Sequence, residues 1–285
     1  MAGKYKARAV ESRYWKPGDD YIKEIIEAIK NIVADGDFVT VSEKAVSTAL
    51  GNIVDEKTVE PSSLARFIAK YWMRIVWPYI LGRKCHMKLK TIQFLRSYPA
   101  EEGSRHKQLA LTQSGFLRAL MFGSEGAIDG SNLPYSYVAL PLENAQEVAC
   151  QLREKIKFKL GKNVSVVIVD TDKTYTVMGF HFTPRPKPLK GIHSIGGFLA
   201  YVAGRSLKLK KRATPLAVAG PPISAEEAIE IAKLANRTRG SGAGKTVWDM
   251  VQNFKVDLDD VTWEMLCSVK HHPIVIIRPK TQMRQ

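Results

Sequence analysis

The sequence of 285 residues predicts an α+β fold. Predicted strands and helices follow one another irregularly and lack the strand–helix–strand rhythm that a doubly wound parallel sheet requires. No internal repeat is present in the sequence. Hydrophobic residues make up 45% of the chain and charged residues 25%, which excludes a disordered, collagen-like or low-complexity protein. At about 150 residues per domain, the length allows one or two domains.

Four segments predict strands. Residues 7–12 predict a short strand, and residues 38–41 predict a short buried one. The strongest signal comes from residues 164–169, because their sequence VSVVIV is β-branched, apolar and too hydrophobic for a sheet edge. This strand is expected to end at Asp170. Residues 273–278 predict a final apolar strand.

Helices are predicted between these strands. Residues 21–33 carry apolar side chains at helical spacing, which indicates one buried helix face. Residues 43–50 are expected to form a helix or a loop. A long helix is predicted to begin at residue 61 and to end before Pro78, because proline has no N–H to donate. Further helices are predicted over residues 143–160 and 224–235.

Four other stretches stand out by their charge, proline content or aromatic residues. Residues 82–107 are basic and predicted to be irregular, and residues 183–190 contain three prolines. Residues 205–212 alternate basic and other residues, so one strand face would be positive and would track phosphates, although a solvated face is the commoner explanation. Five aromatic side chains lie within residues 67–79, where the spacing favours a core or a dimer interface over base stacking.

The charge of the chain favours an anionic partner. Lys and Arg number 43 against 28 Asp and Glu, which gives a formal net charge of +15 and a pI of about 9.7. A nucleotide, a nucleic acid, a phosphorylated cofactor or a membrane surface would fit this surplus. However, no apolar run reaches the ~18 residues that span a bilayer, and no signal peptide is predicted. Three scattered cysteines predict neither a zinc ribbon nor disulfides, so a cytoplasmic location without membrane contact is expected.

A glycine-rich loop, GSGAGKT, occupies residues 240–246. It resembles a P-loop, but Arg239 stands where the Walker spacing requires glycine, and the loop follows a helix rather than a strand. The backbone N–H groups of such a loop can converge on an anion, and Arg237, Arg239 and Lys245 add positive charge. On these residues alone, a phosphate site and a flexible surface loop are both open.

Two oxygen-rich segments suit a hard cation such as Mg²⁺. The first is GAIDGSN, residues 126–132, and the second is DTD, residues 170–172. Asp129 and Asp170 would form a two-carboxylate magnesium site if the fold brought them together. The plain alternatives are a polar turn for the first segment and a helix cap or turn for the second. The six histidines show no metal-binding spacing, and no nucleophile motif is present.

Several blocks, taken in order, resemble the coenzyme F420 γ-L-glutamyl ligases of archaea and actinobacteria. GAIDGSN resembles the GIDxSN signature of that family, and VVIVDT at residues 166–171 resembles its VIITDT strand. Further matching blocks are KPGDD at 16–20, GDFVTVSEKAVSTALG at 36–51 and LPLENAQEVACQLREKI at 140–156. The last helix and its glycine-rich loop also match in place, so the resemblance covers roughly residues 7–245.

The resemblance implies a two-lobed α+β fold, an intertwined homodimer and an amide ligase. Such a ligase uses GTP, rather than ATP, and a divalent metal to join L-glutamate to a phosphorylated deazaflavin through an acyl phosphate. Mg²⁺ or Mn²⁺ would be held by Asp129, Asp170 and Thr171. The nucleotide would contact Ser42, Lys44, Asn132, Gly240, Gly242, Gly244 and Lys245. No further catalytic side chain is implied.

The chain also departs from this family. The family's SKAEG reads STALG at residues 47–51, so a lysine and a glutamate are missing, and Lys173 replaces a glycine. Because the tail has no placed counterpart, we expect a catalytic unit over residues 1–245 and an extension, residues 246–285, that packs on it. These departures leave open a different carboxylate substrate. The alternative function is a non-catalytic relative that binds nucleic acid or nucleotide through its basic surface.

Overall fold

The computed structural model describes residues 4–123, 125–134, 136–257 and 260–280. Within these residues the strands are β1 (Tyr5–Ser12), β2 (Phe38–Ser42), β3 (Ile53–Asp55), β4 (Tyr137–Ala139), β5 (Ser165–Val177), β6 (Phe180–Thr183), β7 (His193–Ser194), β8 (Lys210–Ala219) and β9 (His271–Pro279). The predicted α+β class is confirmed. Among the described residues, no helix combines the length and apolar character that crossing a bilayer requires.

The helices fall between and around these strands. They are α1 (Tyr21–Ile29), α2 (Glu43–Ala49), α3 (Ser63–Phe67), α4 (Gly82–Lys84), α5 (Leu89–Arg96), α6 (Ala100–Ser114), α7 (Phe116–Ala119), α8 (Ala145–Leu160), α9 (Phe198–Ser206), α10 (Ala225–Arg239), α11 (Val247–Phe254) and α12 (Trp263–Cys267). A π-helix over Ile68–Leu81 joins α3 to α4, and a short 3₁₀ turn covers Glu56–Thr58.

The main sheet is mixed and runs in the order β1, β9, β2, β5, β6, β7, with β8 paired along β5. The β2–β5 and β6–β7 pairs are parallel, whereas the other pairs of this sheet are antiparallel. Strands β3 and β4 form a separate two-stranded sheet. The mixed pairing accounts for the irregular order of elements along the sequence, because parallel pairs need long crossover connections.

Side chains of the central strands alternate between two buried layers. Val166 and Ile168 of β5 belong to one apolar cluster, which includes the inner faces of α1 and α8. Val167 and Val169 belong to the other cluster, which α10 covers with Ile231 and its neighbours. Because successive strand side chains point to opposite faces, the VSVVIV run is buried on both sides.

A second core lies in the helices between residues 63 and 122. It contains Ile68, Met73, Trp77 and Leu95, each at most 2% exposed. The indole N–H groups of Trp72 and Trp77 both donate to the carbonyl of Leu120 at 2.8 Å. The buried face of the helix over Ile68–Leu81 therefore packs into a helical core separate from the sheet.

The prediction that a helix ends before Pro78 is wrong. The helical path runs through this proline to Leu81 with wide turns, and the N–H of Gly82 donates to the carbonyl of Trp77, five residues back. The wider turn accommodates a residue that cannot donate a hydrogen bond. The prediction of irregular structure over residues 82–107 is also wrong, since α5 and most of α6 occupy it.

One further expectation is corrected by the sheet. Residues 205–212 do not form one strand, because α9 ends at Ser206 and β8 begins at Lys210. The segment after residue 245 contributes a strand to the main sheet, since β9 pairs with β1 on one side and β2 on the other. The division of the chain at residue 245 into unit and extension stays a prediction.

Candidate active site

A cleft of about 700 Å³ opens beside the C-terminal end of β2 and the middle of β5. All ten residues predicted to bind metal or nucleotide line it: Ser42, Lys44, Asp129, Asn132, Asp170, Thr171, Gly240, Gly242, Gly244 and Lys245. Four segments far apart in the chain supply them. The fold thus brings together the candidate residues, while the role of each stays a prediction.

A bulge in β5 places the second carboxylate. Asp170 pairs with Thr214 of β8, and Lys173 pairs with Ala213, so the two residues between them are extra in the ladder. The strand therefore does not end at Asp170 as expected, but continues to Val177. Bulges re-aim side chains at a sheet, and here the bulge sits where the strand lines the cleft.

The loop that carries the first carboxylate is held by Lys44 of α2. The ammonium Nζ of Lys44 lies 2.8 Å from Asp129 Oδ2 and donates at 2.6 Å to both the carbonyl and the hydroxyl of Ser131. Asp129 Oδ1 accepts from the backbone N–H of Ser131 at 2.8 Å. Burial alone would raise the pKa of Asp129, but the Lys44 ammonium and these hydrogen bonds hold it below its usual value.

Asn132 ties the glycine-rich loop into the cleft. Its Oδ1 accepts from the Tyr14 hydroxyl at 3.0 Å and from the Ala243 N–H at 2.7 Å, and its Nδ2 donates to the Gly244 carbonyl at 2.9 Å. Gly242 has a φ of +59°, and a Cβ built there would lie 2.4 Å from Asn132 Oδ1. The loop is therefore fixed on protein groups, which favours a built site over a flexible surface loop.

Two charged residues of the site were not identified from sequence. Glu43 and Arg185 are both buried, and the Arg185 guanidinium bonds Glu43 Oε1 through one nitrogen and Asp170 Oδ2, at 2.9 Å, through another. Glu43 Oε1 also accepts from the Leu142 N–H at 2.7 Å. The signal for Arg185 was its place in the unusual TPRPKPLK segment, where prolines disfavour helix and sheet; Glu43 gave no signal beyond its neighbours Ser42 and Lys44.

Burial changes the protonation of several cleft groups. Burial raises the pKa of Glu43 to about 7, although the Arg185 guanidinium opposes this shift. It lowers the pKa of His271 to about 4, with Arg239 and Lys44 adding to the effect. His271 is therefore a neutral imidazole at pH 7. It lines the cleft, and its ring stacks on Tyr14 with centroids 4.1 Å apart.

Positive side chains outnumber negative ones in the cleft lining. The basic residues are Lys44, Lys173, Arg205, Arg237, Arg239 and Lys245, and the acidic residues are Glu43, Asp129, Asp170 and Asp172. A concave site with this surplus attracts anions. The chemistry of the lining therefore suits a phosphorylated ligand.

The carboxylates do not form a preformed metal centre. Within the described ranges, no group of three or more His, Cys, Asp and Glu side chains is close enough to hold a metal ion. Asp129 is paired with Lys44, and Asp170 with Arg185. The donor atoms are of the kind that Mg²⁺ or Mn²⁺ prefers, but protein cations already neutralise them.

A second cavity of about 580 Å³ adjoins the cleft. The residues common to both linings are Phe122, Gly123, Asp129, Ser131, Thr171 and Lys245. Its wall surface is mostly apolar, and the rings of Phe94 and Trp248 pack together in this wall with centroids 4.9 Å apart. The two chambers meet beside the candidate carboxylate Asp129.

A buried ion cluster supports the loop between these chambers. His106 contacts Glu56 at 2.5 Å and Glu125 at 3.0 Å, and Lys107 Nζ contacts Glu125 at 2.5 Å. Burial favours the neutral forms, but the two carboxylates raise the pKa of His106 to about 10. Glu125 stands four residues before Asp129, so the cluster anchors one end of the loop.

Comparisons with known proteins identify the family. The family model described as F420-0:Gamma-glutamyl ligase matches residues 9–247. "Uncharacterized protein MJ1361" of Methanocaldococcus jannaschii is 34% identical over 98% of both chains. "Coenzyme F420:L-glutamate ligase" of Methanopyrus kandleri is 23% identical over 156 residues, about 55% of each chain. By its match over most of its length, the chain belongs to the F420-0:γ-glutamyl ligase family.

Proposed function

We propose that this protein is a nucleotide-dependent amide ligase that joins L-glutamate, or a similar amino acid, to a carboxylate of an anionic acceptor. The observation that carries the proposal is that ten residues chosen from sequence line one cationic cleft. Family membership supports the ligase class. We also propose the nucleotide, which we expect to be GTP rather than ATP, and the class of acceptor.

The glycine-rich loop is the proposed phosphate site. Gly240, Ser241, Gly242, Gly244 and Lys245 of this loop line a cleft that also contains Arg237 and Arg239. Oriented amides and fixed cations bind phosphate oxygens strongly, because charge-assisted hydrogen bonds are about twice as strong as neutral ones. Asn132 contributes by fixing the loop through Ala243 and Gly244.

The acceptor is proposed to occupy the second cavity. Its carboxylate would reach the junction at Asp129, Thr171 and Lys245, while its body would lie against Phe94 and Trp248. Apolar cavities with a few polar groups at one end orient ligands in this way. The junction would then bring the carboxylate next to the terminal phosphate.

The reaction proposed here needs two displacements. A carboxylate oxygen of the acceptor attacks the γ-phosphorus, the bond to the bridging oxygen breaks, and the nucleoside diphosphate leaves. The amino nitrogen of glutamate then attacks the acyl carbon, inorganic phosphate leaves with the C–O bond electrons, and the amine loses a proton. Lys44, Lys245 and Arg239 line the cleft where negative charge develops, so they can stabilise it.

The family resemblance implies Mg²⁺ or Mn²⁺ at Asp129, Asp170 and Thr171. A divalent cation at such a site would act as a Lewis acid on phosphate oxygens. Because Lys44 and Arg185 neutralise the two carboxylates, no step of the mechanism is assigned to a metal here.

Calorimetric titration with GTP and then ATP tests the nucleotide site. Lys245→Met should weaken GTP binding by roughly 10–100-fold, the loss expected for a charge-assisted phosphate contact of about 1.5–3 kcal/mol. Lys155→Met, on the exposed face of α8, is the matched control and should bind as the wild type does. Release of inorganic phosphate on adding F420-0 and L-glutamate tests the ligase reaction.

The absence of binding by either nucleotide to folded wild-type protein would contradict the proposal. Equal binding by Lys245→Met and wild type would contradict the placement of phosphate at the loop. Nucleotide binding without phosphate release would point to another acceptor, which a set of small carboxylates on aromatic scaffolds would then identify.

One observation favours a nucleic-acid-binding alternative. Residues 61–100 contain eight Lys and Arg and no Asp or Glu. Exposed Phe67, Tyr71 and Tyr79 lie in the same segment. The basic run at 205–212 contributes less than expected, since Arg212 is buried against Glu226 and Glu230. An RNA oligonucleotide titration with a steep salt dependence would support this alternative.

A further inference from the structure

Arg185 stands where a cation would join two carboxylates of the cleft. Its side chain is 1% exposed, and it bonds Asp170 at the bulge of β5 and Glu43 at the start of α2. The backbone that presents it has Pro184 before and Pro186 after it, and prolines limit the conformations of this segment. The N–H of Arg185 donates to the Thr183 hydroxyl at 3.2 Å, which further fixes its position.

Lys44 occupies a comparable place at the other carboxylate. Three oxygen atoms, from Asp129 and Ser131, surround its ammonium at 2.6–2.8 Å. Oxygen cradles of this kind hold hard cations in other proteins. In this chain, both carboxylates that would attract a divalent ion are therefore occupied by cations covalently attached to the protein.

Other positive side chains of the cleft stay available to a ligand. Arg237, Lys245 and Arg205 line it, and among the described residues no ion pair to a carboxylate is found for them. Arg239 also lines the cleft and is half-buried, and Asp170 and Asp129, whose charges act on it, already have partners. A nucleoside triphosphate would meet fixed positive charge without bringing its own metal.

We propose that Arg185 and Lys44 replace a divalent cation in this site, so that the protein binds nucleotide phosphates without metal and Arg185 closes the Glu43–Asp170 position to metal ions. The inference rests on the proposed nucleotide-dependent function. It removes the need for a divalent metal from that function, because side chains that are already fixed in the cleft balance the charge on the phosphates. Fixed charges need no reorganisation when the ligand binds.

The test measures Mn²⁺ and GTP separately. Mn²⁺ binding is followed by the loss of its free electron paramagnetic resonance signal, with no nucleotide present. Wild-type protein should take up no Mn²⁺ at concentrations that saturate the Arg185→Gln variant, in which Glu43 and Asp170 lose their guanidinium. Arg185→Lys, which keeps the charge, should behave as the wild type does.

Arg118→Gln is the matched control, because Arg118 is a half-buried arginine that bonds the Pro184 carbonyl and, among the described residues, no carboxylate. It should take up no Mn²⁺. GTP should bind wild-type protein with affinities in EDTA and in Mg²⁺ that agree within about threefold. In EDTA, Arg185→Gln should bind GTP about tenfold more weakly than wild type, the weakening expected from removing a fixed charge.

Uptake of Mn²⁺ by wild-type protein would overturn the inference, whatever the state of the variants. GTP binding that requires Mg²⁺ would also overturn it, while leaving the nucleotide-dependent ligase intact. Failure of GTP to bind in both buffers would instead contradict the proposed function. If Arg185→Gln does not fold, Lys44→Met gives the same comparison at Asp129, since that side chain is partly exposed.

Discussion

Lys107 is a fully buried lysine whose charge is compensated locally. Its Nζ contacts Glu125 at 2.5 Å and the Met121 carbonyl at 2.6 Å. Burial lowers its pKa, although Glu125 opposes the shift. Glu125 directly precedes GAIDGSN, so the pair with Lys107 of α6 positions the loop that presents Asp129.

Lys107→Met should destabilise the protein by roughly 3–5 kcal/mol, because it leaves the Glu125 carboxylate buried with one partner fewer. Urea unfolding followed by circular dichroism measures the change. Lys155→Met, at an exposed position, should stay within about 0.5 kcal/mol of wild type. Equal stability of the two variants would show that Glu125 does not depend on Lys107.

His106 makes the stability of this cluster depend on pH. Because its pKa in the folded protein is raised to about 10, its stabilising contribution is complete below the unfolded-state pKa of about 6.5 and is lost as pH rises toward 10. The difference in free energy of unfolding between wild type and His106→Gln should therefore shrink steadily between these two pH values. Denaturant titrations at about pH 6, 8 and 10 measure this difference. A difference that stays constant with pH would contradict the raised pKa of His106.

The glycine-rich loop between α10 and α11 depends on a positive φ and a close approach at one residue. Gly242→Ala places a methyl group against the Asn132 amide. We expect the loop to shift and GTP affinity to fall at least about tenfold, the value of one charge-assisted contact. Calorimetry measures the affinity.

Gly179→Ala provides the control, since Gly179 also has a positive φ, +80°, but no atom lies within 4 Å of the added Cβ. Both variants therefore pay the cost of an unfavourable backbone conformation. Only Gly242→Ala adds the contact with Asn132. Unchanged GTP binding in Gly242→Ala would show that this loop does not hold the phosphates.

At the scale of elements, sequence patterns predicted the strands and helices whose formation depends on their own residues. The β-branched run at 164–169 identified β5, and the apolar stripe at 21–33 identified α1. The bulge after Asp170 was not predictable, because it depends on the register with β8 rather than on the β5 sequence. The continuation of the helix through Pro78 was not predictable for a related reason, because packing of Trp77 in the helical core stabilises its wide turns.

The residues of the candidate site were likewise predicted only in part. GAIDGSN and VVIVDT marked Asp129 and Asp170, because the blocks are recognisable in sequence. Glu43 and Arg185 were not found, since their importance arises only when residues 142 positions apart meet in a buried ion pair. Spacing along a chain carries no information about such contacts.

At the scale of the whole molecule, the helical part exposes an apolar face. Leu64, Phe67, Tyr71, Ile75, Tyr79 and Ile80 are each 44–56% exposed. Contiguous exposed apolar residues often mark a protein interface. The homodimer expected from sequence stays a prediction, and this face is where we place its contact.

Ile75→Glu should shift the protein from dimer to monomer, because it puts a charge into the centre of that face. Sedimentation velocity over a range of protein concentrations measures the state. Phe158→Glu, at a residue 81% exposed on α8, should leave the dimer intact. A monomeric wild type would contradict the prediction, and a monomer that binds RNA would support the nucleic-acid alternative.

The position of β9 has a consequence for how the protein is made. Until residues 271–279 have left the ribosome, β1 and β2 have no partner between them, and each presents an open edge for pairing. His271, on the same strand, also lines the cleft. A nascent chain can therefore form its helical core early, but sheet closure and the finished cleft wait until these residues emerge. That interval is when the growing chain most needs protection from aggregation.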